Sequence, residues 1–197
     1  MSKINIVLIL VAFLFINCKK QQEKDAVLIE TTEQQVTEIP SLTVTVETKD
    51  FIFPVGKPDA KGYYNAQGFG KNNHLGDDWN GTGGGNTDLG DSVFTIGNGV
   101  VISAENLGGG WGNVVRILHK QNDVLYESIY AHLDTILVTE GQEVNQGVKI
   151  GTIGTANGSY LAHLHLEIRD KINMDIGGGY SEDTDGYLDP TLFIKTH

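Results

Sequence analysis

Apolar and polar residues alternate in short stretches along most of this chain, and no segment carries a long apolar stripe at the 3.6-residue helical interval. Leu42-Thr43-Val44-Thr45-Val46-Glu47 alternates and is rich in β-branched residues, which predicts a half-buried strand. From about residue 92 the pattern repeats: Val93 to Ile96, Val100 to Ile102 and Asn113 to Leu118 are strand-like, separated by Gly97-Asn98-Gly99 and Gly108-Gly109-Gly110. Leu125 to Leu133, Ile136-Leu137-Val138 and Leu164 to Ile168 continue the series. The expected fold class is therefore all-β, built from antiparallel sheets, with little helix.

The N-terminus breaks this pattern. Lys3 precedes an uncharged apolar run, Ile4 to Ile16, which is shorter than the roughly 20 residues of a membrane span. It reads as a signal peptide, residues 1–17. The chain's one cysteine, Cys18, follows at once, so the segment resembles a bacterial lipoprotein signal that is cut before the cysteine and acylated on it, although Ile16 and Asn17 stand where small residues are usual. Residues 18–41, rich in Gln, Glu, Thr and Lys, are expected to be a flexible tether, and 42–197 the folded domain.

Composition narrows the function. With 14 Lys+Arg against 25 Asp+Glu the net charge is −11, which argues against nucleic acid as a partner, because phosphate binding rests on lysine and arginine. A single cysteine excludes an intramolecular disulfide and a cysteine-rich zinc cluster. The 25 glycines against 4 prolines suit many tight turns.

Chemistry is concentrated in the histidines. In Ala162-His163-Leu164-His165-Leu166-Glu167-Ile168-Arg169 a period of two puts His163, His165, Glu167 and Arg169 on one face and the apolar residues on the other, leaving the polar face free for a site. In Ile129-Tyr130-Ala131-His132-Leu133 the same period sets Tyr130 and His132 together, with Tyr130 either orienting substrate or filling core. His74-Leu75-Gly76-Asp77-Asp78 offers an imidazole and a carboxylate four residues apart, with Gly76 letting the backbone bend. His119 and His197 read as exposed, and Asp183-Thr184-Asp185-Gly186 as a solvated acidic loop.

Taken together, HxGxD, Tyr-Ala-His-Leu and His-Leu-His-Leu-Glu-Ile-Arg resemble the lysostaphin-type, or LytM-like, zinc endopeptidases that cut peptide bridges of bacterial cell walls. Val138 to Gly154 and Asp91 to Val101 resemble the family's glycine-punctuated strand pairs, so the resemblance covers residues 74–194. It implies an open barrel or sandwich groove, one Zn2+ held by His74, Asp78 and His165, and catalytic histidines at His132 and His163. Two imidazoles and a carboxylate suit zinc with a fourth, open position. Trp79 to Gly90 is longer and richer in glycine than in many relatives and is expected to edge the groove; Leu161-Ala162 replaces a common Gly-Pro. Asn65, Asn72 and Asn73 are candidates for the asparagine that blocks the metal in latent relatives.

The implied activity is hydrolysis of peptidoglycan peptide crosslinks by a monomer anchored to the membrane through acylated Cys18, in the envelope of a Gram-negative bacterium, on the periplasmic or outer surface side. The alternative within the family is a silent domain that binds wall or activates an amidase. The export signal and the two additional histidines disfavour a 2-His-1-carboxylate iron oxygenase, and the export signal a lipoyl-type or phosphocarrier domain.

Overall fold

The computed structural model describes residues 44–197, so the expected signal peptide, Cys18 and the tether lie outside the described residues. Ten strands follow one another: β1 (Tyr63–Gln67), β2 (Asp77–Gly81), β3 (Ser92–Phe94), β4 (Gly99–Gly108), β5 (Gly112–Gln121), β6 (Val124–Ile136), β7 (Glu143–Val144), β8 (Lys149–Ile153), β9 (Leu164–Arg169) and β10 (Tyr187–Leu188). One short helix, α1 (Pro190–Thr196), closes the chain. Every strand pair is antiparallel, in the order β1-β2-β9-β6-β5-β4-β7, and β8 joins β3 to the far end of β6. The all-β expectation holds, and the sheet stays open.

Two strand expectations need correction. Of Leu42 to Glu47, the described part forms only an isolated bridge from Glu47 to Lys120; Val44 is buried, held by packing on Val100 and Leu118 rather than by a ladder. Leu137 and Val138 lie beyond β6, which ends at Ile136.

The central strands β5, β6 and β9 have two unlike faces. One carries Val115 and Ile117, Tyr130, and Leu164, Leu166 and Ile168 into the main core with Val93, Ile96 and Ile153. Tyr130 sits in this core, its hydroxyl accepting the Ile96 amide at 2.9 Å. The opposite face carries His165, Glu167 and Arg169 beside Ala131, Ile129 and Val114. Contrary to the sequence expectation, that face is covered: Glu167 and Arg169 have no exposure and His165 3%.

Helix α1 starts where Asp189 Oδ1 accepts the Leu192 amide (2.9 Å), with Pro190 in its first turn. It buries Phe193 and Ile194, and Phe193 packs on Phe51 and Tyr126 with ring centroids 4.7 and 4.9 Å apart. The Thr191 hydroxyl donates to Asp77, which ties the helix to β2.

His119 is fully buried, not exposed as its place before a turn suggests. The period of two that puts Val115 and Ile117 in the core carries His119 onto the same face. The Asn98 carbonyl, 2.8 Å from Nδ1, can only accept; Nδ1 therefore holds the proton and Nε2 accepts from the Ser128 hydroxyl at 2.7 Å. Burial pushes this imidazole down to about 4, against the opposing pull of the Asn98 carbonyl. His197, by contrast, is exposed, stacked on Phe193.

Two outcomes follow from this packing. Because the folded state keeps His119 neutral while the unfolded chain protonates it near 6.5, stability is lost as pH falls from about 6.5 to about 4, by about 3 kcal/mol in full. His119→Gln should remove that part of the slope in urea titrations at pH 7.5 and 4.5, whereas a variant slope parallel to wild type would assign the loss elsewhere. The second concerns Gly76, where a Cβ would stand 2.4 Å from the Leu166 carbonyl oxygen and 3.0 Å from His165 Cε1. Gly76→Ala should therefore cost about 1–3 kcal/mol, read as a lower denaturation midpoint; wild-type stability would show that β2 and β9 need not approach so closely.

Candidate metal centre and catalytic cleft

Three side chains from distant parts of the chain meet at one point. Asp78 on β2 is the direct cross-strand partner of His165 on β9, so antiparallel register alone sets them side by side. His74 arrives from the loop before β2, where Asn72 and Asn73 adopt positive φ (56° and 64°) and turn the chain inward. It is fixed there by a bridge to Tyr180 and by the Leu75 amide, which donates to the Gly179 carbonyl at 2.9 Å.

His165 Nδ1 lies 2.9 Å from Asp78 Oδ1 and 3.1 Å from His74 Nε2, and His74 Nε2 lies 3.3 Å from the same Asp78 oxygen. A tetrahedron with metal–ligand bonds of about 2.0–2.1 Å has edges of about 3.3 Å, so the three donors stand close to three of its corners. The donor set and its spacing thus fit zinc. Burial alone would raise the Asp78 carboxyl, but hydrogen bonds from His165 and His74 hold it well below the usual carboxylate range. Burial would lower His165, but Asp78 and Glu167, one on each ring nitrogen, push it up to about 9, so a metal ion taking Nδ1 displaces a proton. Asp77, next to Asp78, faces the other way, accepting from the Phe69 amide and the Thr191 hydroxyl.

Gly76 contributes differently from expectation. The structure needs it for close approach to β9, not for a bend: no positive φ is adopted, and the space for a Cβ is taken by the Leu166 carbonyl.

His163 and His132 stand beside this trio. Their rings are 4.7 Å apart, and His163 Nε2 is 3.8 Å from Asp78 Oδ1. Strict alternation would send His132 into the core with Tyr130. It does not, because the β5–β6 register slips between Val115↔Tyr130 and Asn113↔Leu133: two steps on β5 oppose three on β6. His132 lies in that bulge with φ 63°, and its ring emerges 5.4 Å from that of His165. The expected pairing of Tyr130 with His132 on one face is therefore corrected. Carbonyls fix both tautomers, since Leu161 and Trp111 can only accept from Nδ1 of His163 (2.8 Å) and of His132 (3.3 Å), which leaves each Nε2 free. Burial pushes His132 down to about 3, aided by repulsion from His165 and His163.

The five residues line one cleft of about 340 Å³ together with Gln67, Trp111, Tyr160, Tyr180 and the glycines at 110, 178 and 179. None of these framing residues was singled out from the sequence; Tyr160 precedes the HxH strand and Trp111 follows the glycine triplet, which is the signal they carry. The loop after Trp79 does not edge the cleft. Trp79 is buried in the core, and Asn80 and Asn86 instead brace Ala162, through its carbonyl (3.2 Å) and its amide (2.8 Å). Among the described residues no hydrogen bond joins Asn65, Asn72 or Asn73 side chains to the three donors; Asn65 turns to Thr191.

Known proteins are similar to this chain in sequence and in fold. A family model described as Peptidase family M23 matches residues 77–176. Lipoprotein NlpD of Yersinia enterocolitica is 44% identical over 82 residues, 42% of this chain and 80% of that protein. Murein hydrolase activator NlpD of Escherichia coli K12 is 43% identical over 82 residues, but the match spans only 21% of its length. Peptidoglycan DD-endopeptidase ShyA of Vibrio cholerae is 39% identical over 80 residues, 41% of this chain and 18% of that protein. Among solved structures, the antimicrobial peptidase lysostaphin from Staphylococcus simulans aligns with a TM-score of 0.53 at 26% identity, over 68% of this chain and 50% of that one. Since the family model spans half of the sequence and carries Asp78, His132, His163 and His165 within it, the chain belongs to peptidase family M23.

Proposed function

We propose that this chain is a zinc-dependent endopeptidase that hydrolyses peptide crosslinks of bacterial peptidoglycan, with His74, Asp78 and His165 holding the metal and His132 and His163 catalytic. The observation that carries this reading is the convergence of all five side chains on one cleft, with three donors at tetrahedral spacing and two free imidazole nitrogens beside them. When bound, zinc supplies Lewis-acid polarisation of the scissile carbonyl and makes water acidic enough to attack near neutral pH.

The chain's own residues do the rest. Whichever of His132 and His163 is unprotonated at Nε2 accepts the proton of the attacking water and returns it to the leaving amine. The other, when it carries a proton there, donates a hydrogen bond to the developing oxyanion. The Leu161 and Trp111 carbonyls keep both rings oriented through this exchange. Trp111, Tyr160 and Tyr180 offer aromatic walls to the peptide. In keeping with the lipoprotein name of the Yersinia relative, the chain acts in the envelope as a monomer anchored through acylated Cys18.

A second reading is favoured by the 43–44% identity to the two NlpD proteins, one of which is named a murein hydrolase activator. In that case the cleft would serve a partner hydrolase rather than a substrate.

Digestion of purified crosslinked sacculi, followed by mass spectrometry of the released fragments, separates the two. Wild-type protein should release decrosslinked peptides, lose this on chelation and regain it with zinc, and His163→Ala should be slower by about 10²–10⁴-fold. Zinc-loaded protein that releases nothing from several wall chemistries, yet accelerates an added wall amidase, would establish the activator role instead.

A further inference from the structure

The polar face of β9 continues beyond the metal donor. Glu167 and Arg169 follow His165 at intervals of two, and both are completely buried. Burying a carboxylate and a guanidinium is costly unless both are paired and hydrogen-bonded. Here Arg169 Nε and Nη2 donate to Glu167 Oε2 at 3.1 and 2.7 Å. Its Nη1 donates to the Asp175 carbonyl (2.9 Å) and Nη2 also to the Ile176 carbonyl (2.8 Å). The Tyr187 ring lies against the guanidinium, 4.7 Å from Cζ. Glu127, the cross-strand partner of Arg169, does not compete for it, being paired with Arg116.

The remaining oxygen of the pair, Glu167 Oε1, lies 3.2 Å from His165 Nε2. A carboxylate can only accept, so this contact keeps a proton on Nε2 and turns Nδ1 toward Asp78 and His74. The other end of the network reaches the cleft by a second route. Residues 174–178 form an irregular strap outside the strand ladders, and side chains hold its carbonyls: Arg116 takes Met174, Arg169 takes Asp175 and Ile176, and Trp111 Nε1 takes Gly177. The strap runs directly into Gly179, whose carbonyl accepts the Leu75 amide, and Tyr180, which bridges to His74.

We propose that Arg169 is a positioning residue for the metal centre, holding Glu167 against His165 and, with the same guanidinium, the strap that ends on His74, so that one buried cation aligns two of the three donors. The proposal rests on the reading of His74, Asp78 and His165 as metal ligands. Lysine cannot substitute, because the four hydrogen bonds radiate from a planar fork to one carboxylate and two separate carbonyls, whereas an ammonium gathers its three donors at one point.

The test compares Glu167→Gln and Arg169→Lys with wild type in full-length protein, by zinc titration against a chromophoric chelator and by ¹⁵N NMR of the metal-free protein. Both variants should bind zinc about 10–100-fold more weakly. Glu167→Gln should move the His165 Nε2–H signal alone, while Arg169→Lys should move it and also the Trp111 indole N–H, which reports the strap at Gly177. Wild-type zinc affinity together with an unmoved His165 signal in Glu167→Gln overturns the proposal, and so does an unmoved pair of signals in folded Arg169→Lys. If wild type itself binds no zinc, the metal-site reading falls, and the metal-free spectra still decide whether Arg169 orients His165.

Discussion

The closeness of β2 to β9 is the constraint on which the cleft depends. Their register makes Asp78 and His165 direct neighbours, and the backbone approach at Gly76 leaves no room for a Cβ against the Leu166 carbonyl. A strand pair fixed this tightly sets two donor atoms at 2.9 Å without relying on flexible side chains. The third donor, His74, needs only a short turn before β2 to reach them. What looks like a metal site assembled from remote sequence positions is therefore mostly one antiparallel pairing, extended by three residues.

The same strands separate stability from chemistry. One face of β5, β6 and β9 is apolar and buried in the main core, so the favourable transfer of apolar surface resides there. The other face carries two arginine–glutamate pairs and two buried histidines, His132 and His165, whose desolvation is offset by hydrogen bonds among themselves, to Asp78, and to the Trp111 and strap carbonyls. Apart from the small cluster of Val114, Ile129 and Ala131, such a face does not stabilise the fold by burial. It is held in place by its neighbour across the sheet, and its value is rigid orientation of groups that would otherwise be hydrated and mobile.

Much of the site was legible because strand chemistry leaves a period of two in the sequence. His163 and His165 two residues apart at the start of β9, and Asp78 four residues after His74, are visible in the residue order, and resemblance to a family supplied their grouping. The turn of His132 was not legible, since alternation counts residues and cannot see an extra one inserted into a ladder; only the register of β5 against β6 reveals the bulge. Burial of Glu167 and Arg169 was missed for a related reason. A polar strand face looks solvent-directed until the irregular strap that covers it is placed, and the strap is positioned by single side-chain bonds with no periodic signal. His119 shows the converse: its alternation with Val115 and Ile117 was in the sequence, but its polarity and its place before a turn suggested exposure.

The glycine-rich loop after β2 illustrates how position in sequence and position at a site diverge. Its place a few residues beyond Asp78 predicts an edge of the cleft, yet β2 runs away from the donors as it proceeds, and by Gly81 the chain is beside Tyr63. The loop returns only through Asn86, which accepts the Ala162 amide just before His163. It therefore bears on the cleft from behind, by fixing the backbone from which a free imidazole projects. The walls of the cleft come instead from the end of the strap and from the turns at Gly110 and Tyr160. Should the cleft take wall peptides as proposed, discrimination between them rests on those segments, while the strands beneath are held by the packing on their opposite face.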